Sequence, residues 1–381
     1  MREVSFENLL RTEHEIRLDV VIGTQKEPLW FEFSEPAPLS NSNLAHALAA
    51  IVGTHFDHIR FDFPIASQDQ KHIAQWTKSR VHTVGHLQDR QLPQLENSAV
   101  LNFSGGFDSL SALALLPDDT ELVSLDFGGR FSREREFFRL FDPKIVSTNL
   151  AQTSLRRFSW SFMGIGPLLY RDSLKSRYFA FGSIYEASGF KLNEPLKNNF
   201  TFPAFSGVGY ESAMPVAGIS EIGTAQIILN ESPEIVEQSL RSLASPGEEK
   251  YFRKIAIVQT VADRLAIDVT VPSMDFEQKV HYEFGENFAV DVTALYFASV
   301  GRSDFAKRLV TRIPDDILSR ATEADTSFLL KANPHFYSAY PNALRTPLET
   351  GLHLAGIEWY EQEDFEHLEN FKKMLARHYE F

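Results

Sequence analysis

Ala99-Val100-Leu101-Asn102-Phe103-Ser104-Gly105-Gly106-Phe107-Asp108-Ser109-Leu110 changes character twice within one short stretch. Residues 99–103 are apolar enough for a buried strand, two glycines then open a turn, and an apolar run from Ser109 to Leu116 reads as a helix stopped by Pro117. The same rhythm continues outward. Glu121 to Phe127 reads as a second strand ending at Gly128-Gly129, Arg133 to Leu140 as a helix, and Lys144 to Thr148 as a third strand. A helix over about 163–175 and a strand over 178–182 follow. Strands alternating with helices through short links predict an α/β fold with a parallel, doubly wound, Rossmann-like sheet.

Open sheets of this kind bind ligands at the carboxyl ends of their strands, where the loop 104–109 falls. Gly105 and Gly106 carry no side chain, so the backbone can approach a ligand closely. The following helix offers unpaired N–H groups and the positive end of its dipole, a combination that binds phosphate. Ser104 and Ser109 add hydroxyl donors. Asp108 would repel a phosphate, and makes sense there as a Mg²⁺ ligand or as a helix cap. No Lys precedes a Ser or Thr at the Walker A spacing, so this is not a P-loop.

Ser104-Gly105-Gly106-Phe107-Asp108-Ser109 resembles the Ser-Gly-Gly-x-Asp-Ser signature of the PP-loop ATP pyrophosphatase superfamily. Its members open ATP at the α-phosphate, leaving AMP and pyrophosphate or an adenylated substrate. Two further segments are similar to the 7-cyano-7-deazaguanine synthase branch: Leu125-Asp126-Phe127-Gly128-Gly129-Arg130 after the second strand, and Phe181-Gly182-Ser183-Ile184-Tyr185-Glu186. Met214 to Ser220 resembles the branch's Pro-Leu segment followed by Leu-Ser-Lys, with Glu221 in place of the Lys. The resemblance spans about residues 98–230. It implies that Ser104, Gly105, Gly106, Phe107, Asp108 and Ser109 hold ATP, that Asp108 ligates Mg²⁺, and that Ser104, Asp108 and Ser109 act in catalysis. It further implies nucleotide or substrate contacts from Asp126, Phe127, Arg130 and Glu186.

The chain also departs from that branch. It has no cysteine, so the branch's four-cysteine zinc site is absent and no zinc is expected; Arg253-Lys254-Ile255-Ala256 occupies that region. The implied activity is an ATP-dependent ligase or synthetase that adenylates a carboxylate or carbonyl oxygen of a small deazapurine-like or protein acceptor. Some relatives of the branch occur in bacterial antiphage operons. A non-catalytic ATP or AMP sensor or scaffold is the competing reading, favoured by the missing zinc site and by Glu221.

The remaining features bound the answer. A length of 381 residues suggests more than one domain: an N-terminal α+β domain over 1–95, the PP-loop domain over 96–284 and a mainly helical region over 285–381. A net charge of −14 disfavours general nucleic-acid binding. The absence of a long apolar stretch or secretory leader leads to the expectation of a cytoplasmic protein with no membrane span, acting alone, as a homo-oligomer or with a protein partner. His55 and His58 have a His-x-x-His spacing, with no third metal ligand near in sequence.

Overall fold

The computed structural model describes residues 2–88, 95–277 and 281–381, and of Arg130 the backbone alone. Contacts group the chain into two compact units. The first comprises Met1–Ser104, Pro117–Phe181 and Asn199–Ala213; the second comprises Gly105–Leu116, Gly182–Asn198 and Met214–Phe381. This grouping differs from the expected boundaries at 95 and 284.

The first unit is built on one ten-stranded sheet. Its strands are β1 (Glu3–Arg11), β2 (Glu15–Ile22), β3 (Gln25–Phe33), β4 (His58–Phe61), β5 (Arg80–Thr83), β6 (Glu96–Asn102), β7 (Glu121–Asp126), β8 (Lys144–Thr148), β9 (Ser176–Phe181) and β10 (Glu211–Ala213). They lie in the order β10-β9-β6-β7-β8-β3-β2-β1-β4-β5. From β10 to β8 all pairings are parallel. Within that block the chain starts at β6, runs outward through β7 to β8, then returns to β9 on the other side. The direction of winding therefore reverses between the neighbours β6 and β9, the place where open α/β sheets leave a crevice.

The N-terminal strands extend the same sheet, which is why no boundary falls at 95. β3 pairs antiparallel with β8, matching Val146 with Phe33 and Thr148 with Phe31. β1, β2 and β3 form an antiparallel meander, and β4 and β5 add parallel strands beyond β1. In β2 the buried Ile16, Leu18 and Val20 alternate with the less buried Arg17 and Asp19, the pattern of a half-buried strand. β6 instead buries Ala99, Val100 and Leu101 in succession, as a strand covered on both faces does. Helix α1 (Asn41–Val52) is capped by Ser40, whose hydroxyl accepts from Asn43 N, and α2 is Ser67–Thr77.

One expectation is corrected. The helix over about 163–175 is a 3-10 turn at Trp160–Gly164 and a single helical turn at Gly166–Leu169, because Gly164, Gly166 and Pro167 are poor helix formers. The stretch 190–215 contains β10 and a short helix at Pro203–Ser206. Helix α2 ends at Thr77, where Lys78 turns left-handed at φ 58°, and Arg80 already belongs to β5.

The second unit is mainly helical: α3 (Phe107–Ala114), α4 (Glu221–Glu231), α5 (Val236–Leu243), α6 (Glu249–Leu265), α7 (Phe288–Ser299) and α8 (Gln362–Leu375) are its main pieces. α3 packs on α4, with the Ser111 hydroxyl donating to Thr224 O at 3.0 Å. Gly351 touches the end of α3; a β-carbon there would stand 2.7 Å from Ala114 O. Among the described residues no helix is long and apolar enough to cross a membrane.

Candidate functional site

The loop after β6 carries the expected turn. Ser104 is exposed and ends the first segment of the first unit. Gly105 has φ 76°, a left-handed conformation that favours glycine. Its carbonyl accepts from the Ser239 hydroxyl at 3.0 Å, which fixes the turn against α5. Gly106 is the N-cap of α3 in extended conformation and brings no side-chain cap to the helix. Phe107 is buried. The Ser109 hydroxyl donates to Gly106 O at 2.9 Å, so in this arrangement it closes the first helical turn. Gly182 lies against the same turn: a β-carbon on it would stand 2.9 Å from both Asp108 C and Ser109 N.

Around Asp108 stands a network of charges that the sequence does not announce. Lys254, from α6, places Nζ 3.1 Å from Asp108 Oδ1 and 2.8 Å from Glu221 Oε1. Glu221 also pairs with Arg253, whose Nε is 2.6 Å from Glu249 Oε1, one turn earlier on α6. The Thr224 hydroxyl donates to Asp108 at 3.5 Å. Lys254, Glu221 and Arg253 are nearly closed off from solvent, while the Asp108 side chain remains 35% exposed. Lys254 Nζ also lies 5.7 Å from the centre of the Phe107 ring.

Burial opposes ionisation at Glu221, Lys254 and Glu186, and at the first two the partners decide the outcome. For Glu221, burial acts upward, but Arg253 and Lys254 outweigh it and bring the carboxyl down to about 2. For Lys254, burial acts downward, but Asp108 and Glu221 leave it raised. Glu186 is the contrast. Burial, reinforced by the Glu221 charge, pushes its carboxyl up to about 8, although it accepts from Glu221 N at 3.0 and 3.1 Å. Among the described residues no Lys or Arg pairs with Glu186. It borders a cavity of about 390 Å³ with Ser188, Lys191, Phe288 and Tyr379.

The structure thus brings Gly105, Gly106, Phe107, Asp108, Ser109 and Glu186 into one unit with Glu221, Arg253 and Lys254. Asp126 and Phe127 belong to the first unit. There Asp126 Oδ1 accepts from Gly128 N at 2.9 Å, and Oδ2 pairs with Arg135 at 2.9 Å, so its carboxylate braces the turn that follows β7. Phe127 is buried, with ring centres 5.7 Å from Phe131 and 5.6 Å from Phe162. Arg130 lies in the 3-10 turn Gly129–Phe131, and its side chain is outside the described residues.

Arg253 and Lys254 enter the sequence reading only as occupants of a region without cysteines. The signal that was available is the acidic Glu221 at the start of an otherwise uncharged buried helix stretch, which requires a cation from elsewhere. His58 Nδ1 lies 3.0 Å from His82 Nε2, and His55 packs against Phe158. Among the described residues no group of three His, Cys, Asp or Glu is arranged to hold a metal ion. No family model, curated protein or solved structure matches the chain.

Proposed function

We propose that this chain binds Mg·ATP at the loop 104–109 and acts as an ATP pyrophosphatase-type ligase. The observation that carries the reading is the start of α3. The left-handed Gly105 and the N-cap Gly106 lead into a helix without a side-chain cap, directly after the strand at the reversal point of a parallel sheet. A buried ammonium lies over the first residue of that helix.

In this reading the β- and γ-phosphates lie against the Gly105–Ser109 backbone. An acceptor carboxylate or carbonyl oxygen attacks the α-phosphorus, the bond to the β-phosphate bridging oxygen breaks, and pyrophosphate leaves. The negative charge that develops on the leaving group is stabilised by preorganised N–H donors and a cation. A nucleophile such as an amine then attacks the activated carbon and releases AMP. Asp108 is the carboxylate that would meet Mg²⁺ in this reading. That ion keeps several waters and needs only one or two protein carboxylates beside phosphate oxygens, so a single part-exposed Asp fits it without a larger protein cage. The acceptor, a small deazapurine-like molecule or a protein, and a place in an antiphage system are parts of the proposal that rest on the sequence resemblance alone.

The second reading is an ATP or AMP sensor or scaffold without turnover. Glu221 supports it, because it puts a carboxylate where the resembled branch has a lysine. Calorimetry with Mg·ATP on the wild type and on Asp108→Ala tests the site without knowledge of the acceptor. Binding in the wild type that Asp108→Ala removes is the expected result, and ligand at about 100 times its dissociation constant adds about 2.7 kcal/mol to stability. A folded wild type that binds no ATP overturns the proposal. Binding with no pyrophosphate release across acceptor candidates moves the chain to the second reading.

A further inference from the structure

We infer that Lys254 is the phosphate-binding cation of this site, supplied by α6 instead of by position 221, and that Asp108 and Glu221 hold it in place until the triphosphate takes it over. The inference rests on reading the loop 104–109 as a triphosphate site.

The argument begins with where the ammonium lies. It is beside Asp108 in the first turn of α3 and beside Glu221, the first residue of α4. Helix N-termini carry positive potential, so two of them meet here with Lys254 and Arg253. Such a place favours anions, and a buried cation in it is stable only while carboxylates or another anion neutralise it. The two carboxylates are not equivalent. Glu221 is buried and keeps Arg253 as a partner if Lys254 moves. Asp108 is part-exposed, and among the described residues Lys254 is the one cation paired with it. Replacing the Lys254–Asp108 contact therefore strands no buried charge, provided that an anion reaches Lys254 and a cation reaches Asp108. Mg·ATP brings both: phosphate oxygens for Lys254 and Mg²⁺ for Asp108. A lysine can follow such an exchange because its charge sits on a flexible stem and needs no fixed approach geometry.

The exchange also accounts for Glu221. A lysine at that position, added to Lys254 and Arg253, would crowd three cations at two helix N-termini. A glutamate there instead orients the lysine that arrives from α6.

The test compares ATP with AMP, since only ATP carries the β- and γ-phosphates. Calorimetry is run on the full chain with Mg·ATP and with AMP for the wild type, Lys254→Met and Lys254→Arg. The expected result is a loss of ATP affinity of tenfold or more in Lys254→Met, AMP affinity unchanged within twofold, and substantial recovery of ATP affinity in Lys254→Arg. Equal losses for ATP and AMP in Lys254→Met mean a merely structural lysine and overturn the inference, as does unchanged ATP affinity. If Lys254→Met does not fold, Lys254→Gln, which keeps an N–H donor but removes the charge, is read in the same way. A wild type that binds no ATP removes the triphosphate site itself; wild-type binding with an indifferent Lys254→Met removes only the role of Lys254.

Discussion

The N-termini of α3 and α4 start from the same physical problem and solve it differently. Each helix begins with backbone N–H groups that have no partner inside the helix. At α4 the protein supplies the partners. The Ser220 hydroxyl accepts from Ile222 N and Gly223 N at 3.1 Å each, and the Glu186 carboxyl accepts from Glu221 N. At α3 the N-cap is Gly106, which has no side chain to offer. One terminus is closed by the protein's own acceptors. The other receives no side-chain cap from its N-cap residue, and Asp108 and Lys254 pair beside its first turn. A helix that only held the fold together would gain from a serine or aspartate cap. In the proposed reading, the glycine lets an anion approach the backbone at this terminus.

The largest expected effect comes from breaking the closed terminus at its charge. Glu221→Gln removes the carboxylate shared by Arg253 and Lys254 while keeping its shape. Truncating one side of a buried pair costs about 3–5 kcal/mol. Arg253 keeps Glu249 and Lys254 keeps Asp108, so the loss falls near the lower end, about 3 kcal/mol by urea unfolding. A loss below about 0.5 kcal/mol, the size of an ordinary surface substitution, would show that the network carries no stability.

Glu186 sharpens the same contrast through pH. Its proton is held to about 8 in the fold, against an ordinary value of 4.5. Between those values the native state keeps a proton that the unfolded chain has lost, so this group lowers stability as pH rises toward 8 and changes nothing further above it. Glu221 runs the other way. Its folded value of about 2 lies below 4.5, so its contribution is complete above 4.5 and is lost as pH falls toward 2. Glu186→Gln cannot ionise. Its unfolding free energy should fall less steeply than that of the wild type between about pH 5 and pH 8. Parallel slopes for the two proteins would mean that Glu186 titrates normally.

Gly182→Ala probes the open terminus from outside. The added methyl would stand 2.9 Å from the backbone of Asp108 and Ser109, neither of which is a flexible side-chain end. Overpacking of this kind costs about 1–3 kcal/mol. Because the displaced atoms form the first turn of α3, ATP affinity should drop about tenfold, equivalent to about 1.4 kcal/mol. Calorimetry on the folded variant checks this. Unchanged affinity would separate the first turn of α3 from nucleotide binding.

The sequence made one half of this comparison legible. The apolar run at 99–103, the glycine pair and the apolar helix after it follow from local patterning, and local patterning is what places β6, the left-handed Gly105 and α3 in order. The parallel block from β10 to β8 was equally readable up to β10, whose three residues are too short to show alternation. The joining of β3 to β8 was not readable, because antiparallel pairing across more than a hundred residues leaves no local mark. The closed half of the comparison was hidden for the same reason. Asp108, Glu186, Glu221 and Lys254 come from four separate segments. Glu221 and Lys254 look like surface charges until the fold buries them, and only then does Glu221 require Arg253 and Lys254. Asp126 was legible as the end of β7, but its engagement with Gly128 and Arg135 depends on a turn and a helix that the strand pattern does not encode.

The smallest expected effect tests the closed terminus by its cap alone. Ser220→Ala removes the acceptor for two N–H groups and the donor to Leu329 O, without touching a charge. Loss of a serine N-cap costs about 1 kcal/mol, and the unpaired Leu329 carbonyl adds to that if water cannot reach it. In the proposed reading the cap serves the fold and the Gly106 terminus serves the ligand. Ser220→Ala should therefore lower the urea midpoint while leaving the Mg·ATP dissociation constant within about twofold, a change worth about 0.4 kcal/mol. A variant that keeps its stability but loses ATP would reverse the assignment: the ligand would then sit at α4, and the glycine at α3 would be only a turn.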